Sequence, residues 1–421
     1  MEYKRYKLGD ICKIFGRIGF RGYTTEDLVS SPSNGAISLS PTNIVDGIMD
    51  LSKCTYISWE KYEESPEIKI APNDIVIVKT GNSYGRTAII RNVEHPMTLN
   101  PQFVVLKDIQ INPVYLAYFL KTGEFQKQIY GIVGGSAIPT LSQENLANLI
   151  IRVPNDNIPN AIADILDSLD GKIELNKQIN DNLEAMAKQL YDYWFVQFDF
   201  PNEDGKPYKS SGGAMVWNEK LKREIPQGWS GVSLKDLALT SRNAITPVEN
   251  EVYQHFSIPS FDACGSYSLD NGSDIKSDKF VLQKGQLLVS KLNPWFNRVV
   301  WVPKGTNMIG STEFVVLNPN NESESGYIYS VIKSPKFIAY CSQAATGTSH
   351  SQRRVSPDVL MAFKVVYEQG VVQKYGCLIE KIQKQQAELL SEIAMLTKQR
   401  DELLPLLMNG QATINYHLSA C

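Results

Sequence analysis

Residues 162–194 read IADILDSLDGKIELNKQINDNLEAMAKQLYDYW, and the spacing of their apolar side chains decides the fold. Mostly apolar residues recur at alternating intervals of four and three, so they fall on one face of a helix. That face consists of Ile162, Leu166, Leu169, Ile173, Asn176, Asn180, Leu183, Ala187, Leu190 and Trp194. A repeat of 3.5 residues is typical of a coiled-coil seam, where the apolar face meets a partner helix.

A second stretch, at residues 379–407, has the same periodicity. Its face consists of Ile379, Ile382, Gln386, Leu389, Ile393, Leu396, Arg400, Leu403 and Leu407. Neither helix can bury its stripe alone, so we predict that the two pair antiparallel as a rod on the order of 50–60 Å long. The alternative is that each helix packs only on its own domain. The polar seam residues Asn176, Asn180, Gln386 and Arg400 are expected to set the register.

Ahead of each helix, the chain repeats one framework. Residues 74–78 (DIVIV) correspond to 286–290 (QLLVS), and residues 103–106 correspond to 314–317 (both FVVL). These two matches have offsets of 212 and 211 residues. Short β-branched runs separated by Gly, Pro and Asn indicate a mostly-β domain in each copy. A small helix is predicted after them, at 113–130 in the first copy and at 327–344 in the second.

The sequence therefore predicts an α+β chain with two mixed, mostly-β domains and a pair of long antiparallel coiled-coil helices. The internal repeat implies pseudo-twofold symmetry. The 421 residues include 43% hydrophobic and 21% charged side chains, an ordinary globular composition without an apolar run long enough for a membrane span. The six cysteines form no CxxC pair, which indicates reduced thiols in the cytoplasm and no zinc site.

Three further phrases are distinctive in their order along the chain: residues 134–142 (GGSAIPTLS), 190–195 (LYDYWF) and 225–229 (IPQGW). Together with the duplicated domains and seam helices, they resemble the specificity subunit of type I restriction–modification enzymes, over residues 6 to about 410. The resemblance implies two target recognition domains, at 1–155 and 227–368. It also implies spacer helices at 156–199 and 369–410, a linker at 200–226 and a tail at 411–421.

In that family each recognition domain reads one half of a split target in double-stranded DNA, and the helices set the gap. The resemblance implies assembly with two methyltransferase subunits and with restriction endonuclease/translocase subunits. It implies no catalysis and no cofactor in this chain, and self-association of the isolated subunit is a further expectation. The net charge of −3 is unusual for a protein that holds DNA alone, so partner subunits are expected to supply part of the phosphate binding.

Three loop segments carry side chains that suit base or phosphate contacts. The candidate DNA-binding residues of the first domain are Lys79, Asn82, Ser83, Tyr84, Arg86, Ser136 and Thr140. Those of the second domain are Lys291, Asn293, Asn297, Arg298, Thr348, Ser349, His350, Arg353 and Arg354. The alternatives are a plain Gly-rich hairpin at 79–87 and a solvated charged turn at 353–354. Trp295 and Phe296 are expected in the core.

The sequence leaves two other functions open. A stand-alone methyltransferase would need an (N/D/S)PP(Y/F) loop, and residues 100–103 and 293–296 lack its second proline. A protein scaffold without base reading would show the same helices, but it would not need divergent, locally cationic loops in one framework position. The aromatic run at 191–200 is predicted to cap the helix pair as core, with docking of a methyltransferase subunit as the alternative.

Overall fold

The computed structural model describes residues 2–17, 19, 22–45, 47–133, 140–155, 157–347 and 352–412. The chain forms two compact units, the first made of Met1–Ile173 with Met395–Cys421 and the second of Glu174–Ala394. Each of the two long helices contributes one part to each unit, because their ranges cross the boundaries at 173 and 394.

The first unit contains twelve strands within the described residues, together with five short α-helices. The strands are β1 Tyr3–Lys7, β2 Lys13–Gly16, β3 Leu28–Val29, β4 Gly35–Leu39, β5 Ile44–Val45, β6 Ile48–Met49, β7 Thr55–Ser58, β8 Ile75–Val78, β9 Thr87–Ile89, β10 Met97–Leu99, β11 Phe103–Lys107 and β12 Ile150–Pro154. The helices are α1 Leu8–Ile11, α2 Trp59–Glu63, α3 Pro113–Lys121, α4 Gly123–Val133 and α5 Gln143–Ala147, and the long helix α6 spans Ile158–Tyr191.

The second unit contains thirteen strands in its described part. They are β13 Met215–Asn218, β14 Arg223–Pro226, β15 Ser230–Ser233, β16 Ala238–Ser241, β17 Ala244–Ile245, β18 Val252–Phe256, β19 Ser268–Asn271, β20 Lys279–Val281, β21 Leu287–Ser290, β22 Val299–Trp301, β23 Met308–Gly310, β24 Phe314–Pro319 and β25 Lys364–Tyr367. Its short helices are α7 Leu234–Leu237, α8 Ile258–Cys264, α9 Ser325–Lys333, α10 Pro335–Ala344 and α11 Pro357–Met361, and the long helix α12 spans Gln369–Met408.

The repeat predicted from the sequence is visible in the sheets of the two units. The first has a four-stranded sheet in the order β2-β11-β8-β9, and the second has one in the order β16-β24-β21-β22. The central strands β8 and β21 are the two matched apolar runs, and all their residues are buried. A terminal antiparallel pair also recurs, β1 with β12 and β15 with β25. The predicted mixed, mostly-β domains are confirmed.

The other sheet differs between the units. It has four strands in the first unit, in the order β10-β4-β7-β3, and five in the second, in the order β17-β20-β23-β18-β19. Each contains one parallel pair, β4 with β10 and β18 with β23. Apolar side chains of the two sheets form a separate core in each unit, around Val76 and Phe103 in the first and around Leu288 and Phe314 in the second.

The long helices pair antiparallel within each unit, as the seam predicted. In the second unit, Gln386 Nε2 donates to the Asn180 carbonyl at 3.3 Å, and the Tyr375 hydroxyl donates to the Ala187 carbonyl at 3.4 Å. In the first unit, the side chains of Ile162 and Leu166 share a core with Leu407. The buried seam residues include Ile162, Leu166, Ile173, Leu183, Ala187, Trp194, Ile379, Leu396 and Leu407. The helices pack on the β domains as well as on each other.

The prediction of one small helix in each copy was wrong, because the structure has two consecutive helices there, α3 and α4 in the first unit and α9 and α10 in the second. The Thr122 hydroxyl accepts a hydrogen bond from the Phe125 N–H at 3.4 Å, so this residue ends α3 and caps α4. Ser334 does the same between α9 and α10, where it accepts from the Phe337 N–H at 3.3 Å and is followed by Pro335. Such caps and a proline at the first helical position favour a new helix start over continuation.

The aromatic run after α6 lies largely in the core of the second unit. Trp194, Phe195, Phe198 and Phe200 are buried, and Tyr193 is exposed. They pack with Trp229, which belongs to the IPQGW phrase, and with buried tyrosines of α9 and α12. The prediction of a core role is confirmed for these four side chains. Among the described residues, none of the helices is both long and apolar enough to cross a membrane.

Candidate nucleic-acid interface

The loop between β8 and β9 of the first unit is held by backbone hydrogen bonds at its base. The Lys79 N–H donates to the Gln102 carbonyl at 2.7 Å, and the Leu141 N–H donates to the Lys79 carbonyl at 2.9 Å. Thr80 and Thr140 form an isolated antiparallel bridge. Gly81 and Gly85 adopt φ of +88° and +82°, which a residue with a Cβ rarely adopts. The β8–β9 loop is therefore attached to Thr140 and Leu141.

The polar side chains of this loop face outward. Asn82 and Arg86 are exposed, and Ser83 and Lys79 are half-buried. None of these four side chains has a hydrogen-bond or ion-pair partner among the residues that the structure describes. Partial burial lowers the pKa of the Lys79 ammonium below its usual value. These side chains are available for an external anion or base edge.

Tyr84 has a packing role in the same loop. Its ring meets that of Tyr130 edge to face, with 5.5 Å between the centroids, and it contacts the core of the first unit. The Tyr130 side chain is exposed. The loop is thus anchored by one aromatic ring while its polar side chains remain free.

The loop between β21 and β22 of the second unit has the same base. The Lys291 N–H donates to the Glu313 carbonyl at 2.8 Å, and the Val355 N–H donates to the Lys291 carbonyl at 3.1 Å. Leu292 and Arg354 form the isolated bridge that Thr80 and Thr140 form in the first unit. Lys79 and Lys291 therefore occupy equivalent positions in the repeated framework of the two units. Within the described chain, the Lys291 side chain has no ion-pair partner either.

The tip of this second loop differs from that of the first. Asn293 is buried in left-handed conformation (φ +48°), where its side-chain Oδ1 accepts from the Arg353 N–H at 3.0 Å. The Asn293 N–H donates to the Arg353 carbonyl at 2.8 Å. Asn297 is also left-handed (φ +50°), and its Oδ1 is buried without a partner among the described residues. The two asparagines shape the loop.

The Arg298 side chain forms an ion pair within the protein. Its Nε and Nη2 donate to the two oxygens of Asp262 on α8 at 2.6 and 2.7 Å, and its guanidinium lies 4.5 Å from the Phe296 ring centroid. The arginine is 9% exposed. Arg86 corresponds to it in the first unit, since Val78 and Ser290 donate to the carbonyls of Arg86 and Arg298, at 2.9 and 3.0 Å. One framework position thus holds an exposed arginine in one unit and a buried one in the other.

The adjacent arginines of the second unit, Arg353 and Arg354, also differ in their contacts. Arg354 is exposed and donates through Nε and Nη2 to Glu313 at 3.0 Å each, and these bonds raise the pKa of its guanidinium. The Arg353 side chain is half-buried and has no partner among the described residues. Ser136, Thr348, Ser349 and His350 lie outside the described residues, whereas Thr140 is exposed.

The structure corrects one expectation in this loop. Trp295 and Phe296, expected in the core, are 40% and 57% exposed. The flanking Asn293 and Asn297 were a signal for this turn, since asparagine tolerates the left-handed conformation better than most residues. Sequence reasoning missed Asp262 altogether, because nothing local connects it to a loop 36 residues away.

The amino-acid sequence is similar to those of known proteins. Residues 1–185 match the family model described as Type I restriction modification DNA specificity domain. The type I restriction enzyme MjaIX specificity subunit of Methanocaldococcus jannaschii is 25% identical over 84% of this chain and 81% of its own length. The HindI specificity subunit of Haemophilus influenzae is 27% identical over 47% of this chain and 42% of its own.

The fold is similar to a solved structure as well. The crystal structure of the type I restriction–modification S subunit from M. genitalium superposes with a TM-score of 0.61 at 15% identity, over 96% of each chain. This likeness concerns the fold. Residues 1–185 thus match a DNA specificity domain, and the chain is similar to type I restriction–modification specificity subunits, in sequence over most of its length and in fold.

Proposed function

We propose that the chain reads a bipartite target in double-stranded DNA, one half with each mostly-β domain, at a separation set by α6 and α12. The observation that carries this proposal is the pair of loops at 79–86 and 291–298. Their bases share the same backbone hydrogen bonds and a lysine, while their tips differ in sequence, conformation and exposure. A duplicated framework with two different tips suits a protein that reads two different half-sites.

The available polar side chains fit the chemistry of DNA recognition. Lys79 and Lys291 offer ammonium groups for phosphates, and Arg86, Asn82 and Arg353 offer directed donors for base edges. Of the predicted contact residues, Asn293, Arg298 and Arg354 are engaged by protein partners, so we assign them to holding the loops. With a net charge of −3, the chain needs additional phosphate contacts from other subunits.

We further propose that the chain is non-catalytic. It would bridge two methyltransferase subunits and the restriction endonuclease/translocase subunits. Its matched relatives are specificity subunits by name, which supports this role. The purified chain alone is then expected to transfer no methyl group from S-adenosylmethionine to DNA. Measurable turnover that co-purifies with the chain and not with a contaminant would overturn the non-catalytic assignment.

Selection from random duplexes tests the reading function directly. The chain, purified with its methyltransferase partner, is mixed with duplexes carrying a randomised region, and the bound fraction is sequenced. We expect one enriched motif made of two specified halves and an unspecified gap of fixed length. Recovery without any enriched motif would refute sequence recognition, and a single continuous motif would refute the division between two domains.

The spacing function has its own test. Four residues, about one helical turn, are inserted into α6 after Asn180 and into α12 after Gln386, which contact each other. We expect the selected gap to lengthen while both halves stay the same. An insertion in α6 alone is the control, because it shifts one seam against the other and is expected to weaken binding. An unchanged gap in the double insertion would refute the role of the helices in spacing.

A further inference from the structure

Two large aromatic side chains stand side by side at the tip of the β21–β22 loop. Trp295 and Phe296 lie in the short 3-10 turn Pro294–Phe296, with 6.1 Å between their ring centroids. Their side chains are 40% and 57% exposed. Exposure of adjacent aromatic rings leaves considerable apolar surface in water, which proteins usually avoid unless the surface binds something.

The backbone of the turn is held in a conformation that directs these rings outward. Asn293 and Asn297, on either side of it, both have positive φ, which is an unfavourable region for a residue with a side chain. The conformation persists because Asn293 is fixed by two hydrogen bonds to the Arg353 backbone and because Pro294 is buried. The tip is therefore organised before any partner binds.

An ion pair between the buried Arg298 and the exposed Asp262 supports the tip from below. The Arg298 guanidinium lies against the Phe296 ring and is held by both oxygens of Asp262. Since a bidentate pair fixes the plane of the guanidinium, it also fixes the position of the ring above it. The Phe296 ring has one face on this support and more than half of its surface free.

The charges around the tip identify the partner. Lys291 begins the same loop and Arg353 is hydrogen-bonded to it, and neither side chain has an acidic partner among the described residues. Flat apolar rings next to unpaired cations match a ligand with stacked planar bases and a phosphate backbone. An apolar protein surface would use the rings but would leave the two cations without counter-charges.

We propose that the Trp295–Phe296 tip inserts against a base step of the half-site read by the second unit and stacks on the bases it separates. This inference rests on the proposed function and goes further, because it makes the second half-site a distorted duplex. Unstacking the step costs free energy, which ring–base stacking, the phosphate contact of Lys291 and the base-edge contact of Arg353 offset. The first unit has the Gly81–Gly85 loop in this position, so the distortion is confined to one half.

The test compares the wild-type complex with the double variant Trp295→Ala/Phe296→Ala on duplexes that carry the selected motif. 2-Aminopurine, whose fluorescence rises when it is unstacked, is placed at successive positions of both halves. We expect a rise at one step of the second half with the wild type and none there with the variant. The variant is expected to bind on the order of 10-fold to 100-fold more weakly, since each lost ring–base stack weakens binding substantially. An abasic site at that step should restore much of its affinity.

Trp217→Ala is the matched control, because Trp217 is also 57% exposed and lies in the β13–β14 hairpin. It is expected to leave affinity and fluorescence unchanged. A double variant that binds like the wild type and gives the same fluorescence overturns the inference and leaves the proposed function intact. A variant with normal DNA affinity but impaired assembly with the methyltransferase subunit shows a protein-docking tip and overturns it too. A wild-type complex that selects no motif overturns both proposals.

Discussion

The β8–β9 loop of the first unit and the β21–β22 loop of the second start from one backbone framework and place the same residue types in opposite environments. Arg86 is exposed and has no partner in the described part of the chain, whereas Arg298, at the corresponding position, is buried on Asp262. The first tip presents polar side chains and the second presents two aromatic rings. A repeated framework therefore fixes where a loop begins, while the tip and its tertiary neighbours decide which side chains are available.

The largest effect is expected from the ion pair that distinguishes the second loop. Asp262→Ala leaves the Arg298 guanidinium buried without its carboxylate, which is expected to lower the local free energy of unfolding by about 3 kcal/mol. Amides of β21 and β22 should then exchange with deuterium about a hundredfold faster. Those of β8 and β9, in the other unit, serve as the internal reference.

Glu313→Ala is the control for this prediction, because the Arg354–Glu313 pair is bidentate too but its arginine is exposed, whereas Arg298 is buried. Its expected cost is within about 1 kcal/mol. Equal protection of the β21 and β22 amides from exchange in Asp262→Ala and in the wild type would mean that the pair does not hold the second loop. The ion pair would then not explain the difference between the two loops.

A smaller effect is expected on half-site discrimination. Arg86→Ala should weaken discrimination at one base pair of the first half by roughly 1–3 kcal/mol, and Arg353→Ala should do the same in the second half. Competition binding against duplexes with single changes in either half measures this. Arg354→Ala is the matched variant with an engaged guanidinium and should have the weaker effect. If Arg86→Ala weakens both halves equally, the arginine serves phosphates or folding.

The shared lysines provide the test of what the two loops have in common. Lys79→Ala and Lys291→Ala should each weaken binding to every sequence alike and reduce the slope of log affinity against log salt by about 0.9. Titrations at several salt concentrations measure the slope. Similar changes are expected, because the two lysines share their backbone contacts. A change in base preference for either variant would contradict a phosphate role.

The smallest effect concerns His255 on β18, which corresponds to Ser38 on β4 by its place in the parallel strand pair. Burial lowers the pKa of His255 from its usual 6.5, although the hydrogen bond to Asp270 at 2.7 Å opposes the shift. The unfolded chain therefore takes up the proton first as the pH falls, so the second unit should lose stability from about pH 6.5 downward.

His255→Gln removes this titration and provides the control. Urea midpoints are compared at pH 7.5 and pH 5.5 for the variant and the wild type. The wild type is expected to lose more stability between these two pH values than the variant does. An equal loss in both would show that His255 does not contribute to the acid sensitivity of the second unit.

Prediction from the sequence worked where the pattern is local and periodic. The seam residues predicted the two long helices, and the matched apolar runs predicted the central strands β8 and β21. The offset of 212 residues that joins these runs also connects Lys79 with Lys291 and Arg86 with Arg298, so the shared positions were available in the sequence. It did not predict which arginine is exposed, because that depends on Asp262.

The duplication and the helix seam follow from the order of residues alone, because hydrophobic periodicity acts through neighbours along the chain and holds in any environment that buries one face. Which loop side chains are available depends instead on contacts between distant segments. Asp262 neutralises Arg298, Glu313 engages Arg354, and Arg353 fixes the backbone of Asn293. Those contacts join residues 36 to 60 positions apart, so the exposure of Trp295 and Phe296 depends on how distant segments meet as well as on the asparagines beside the two rings.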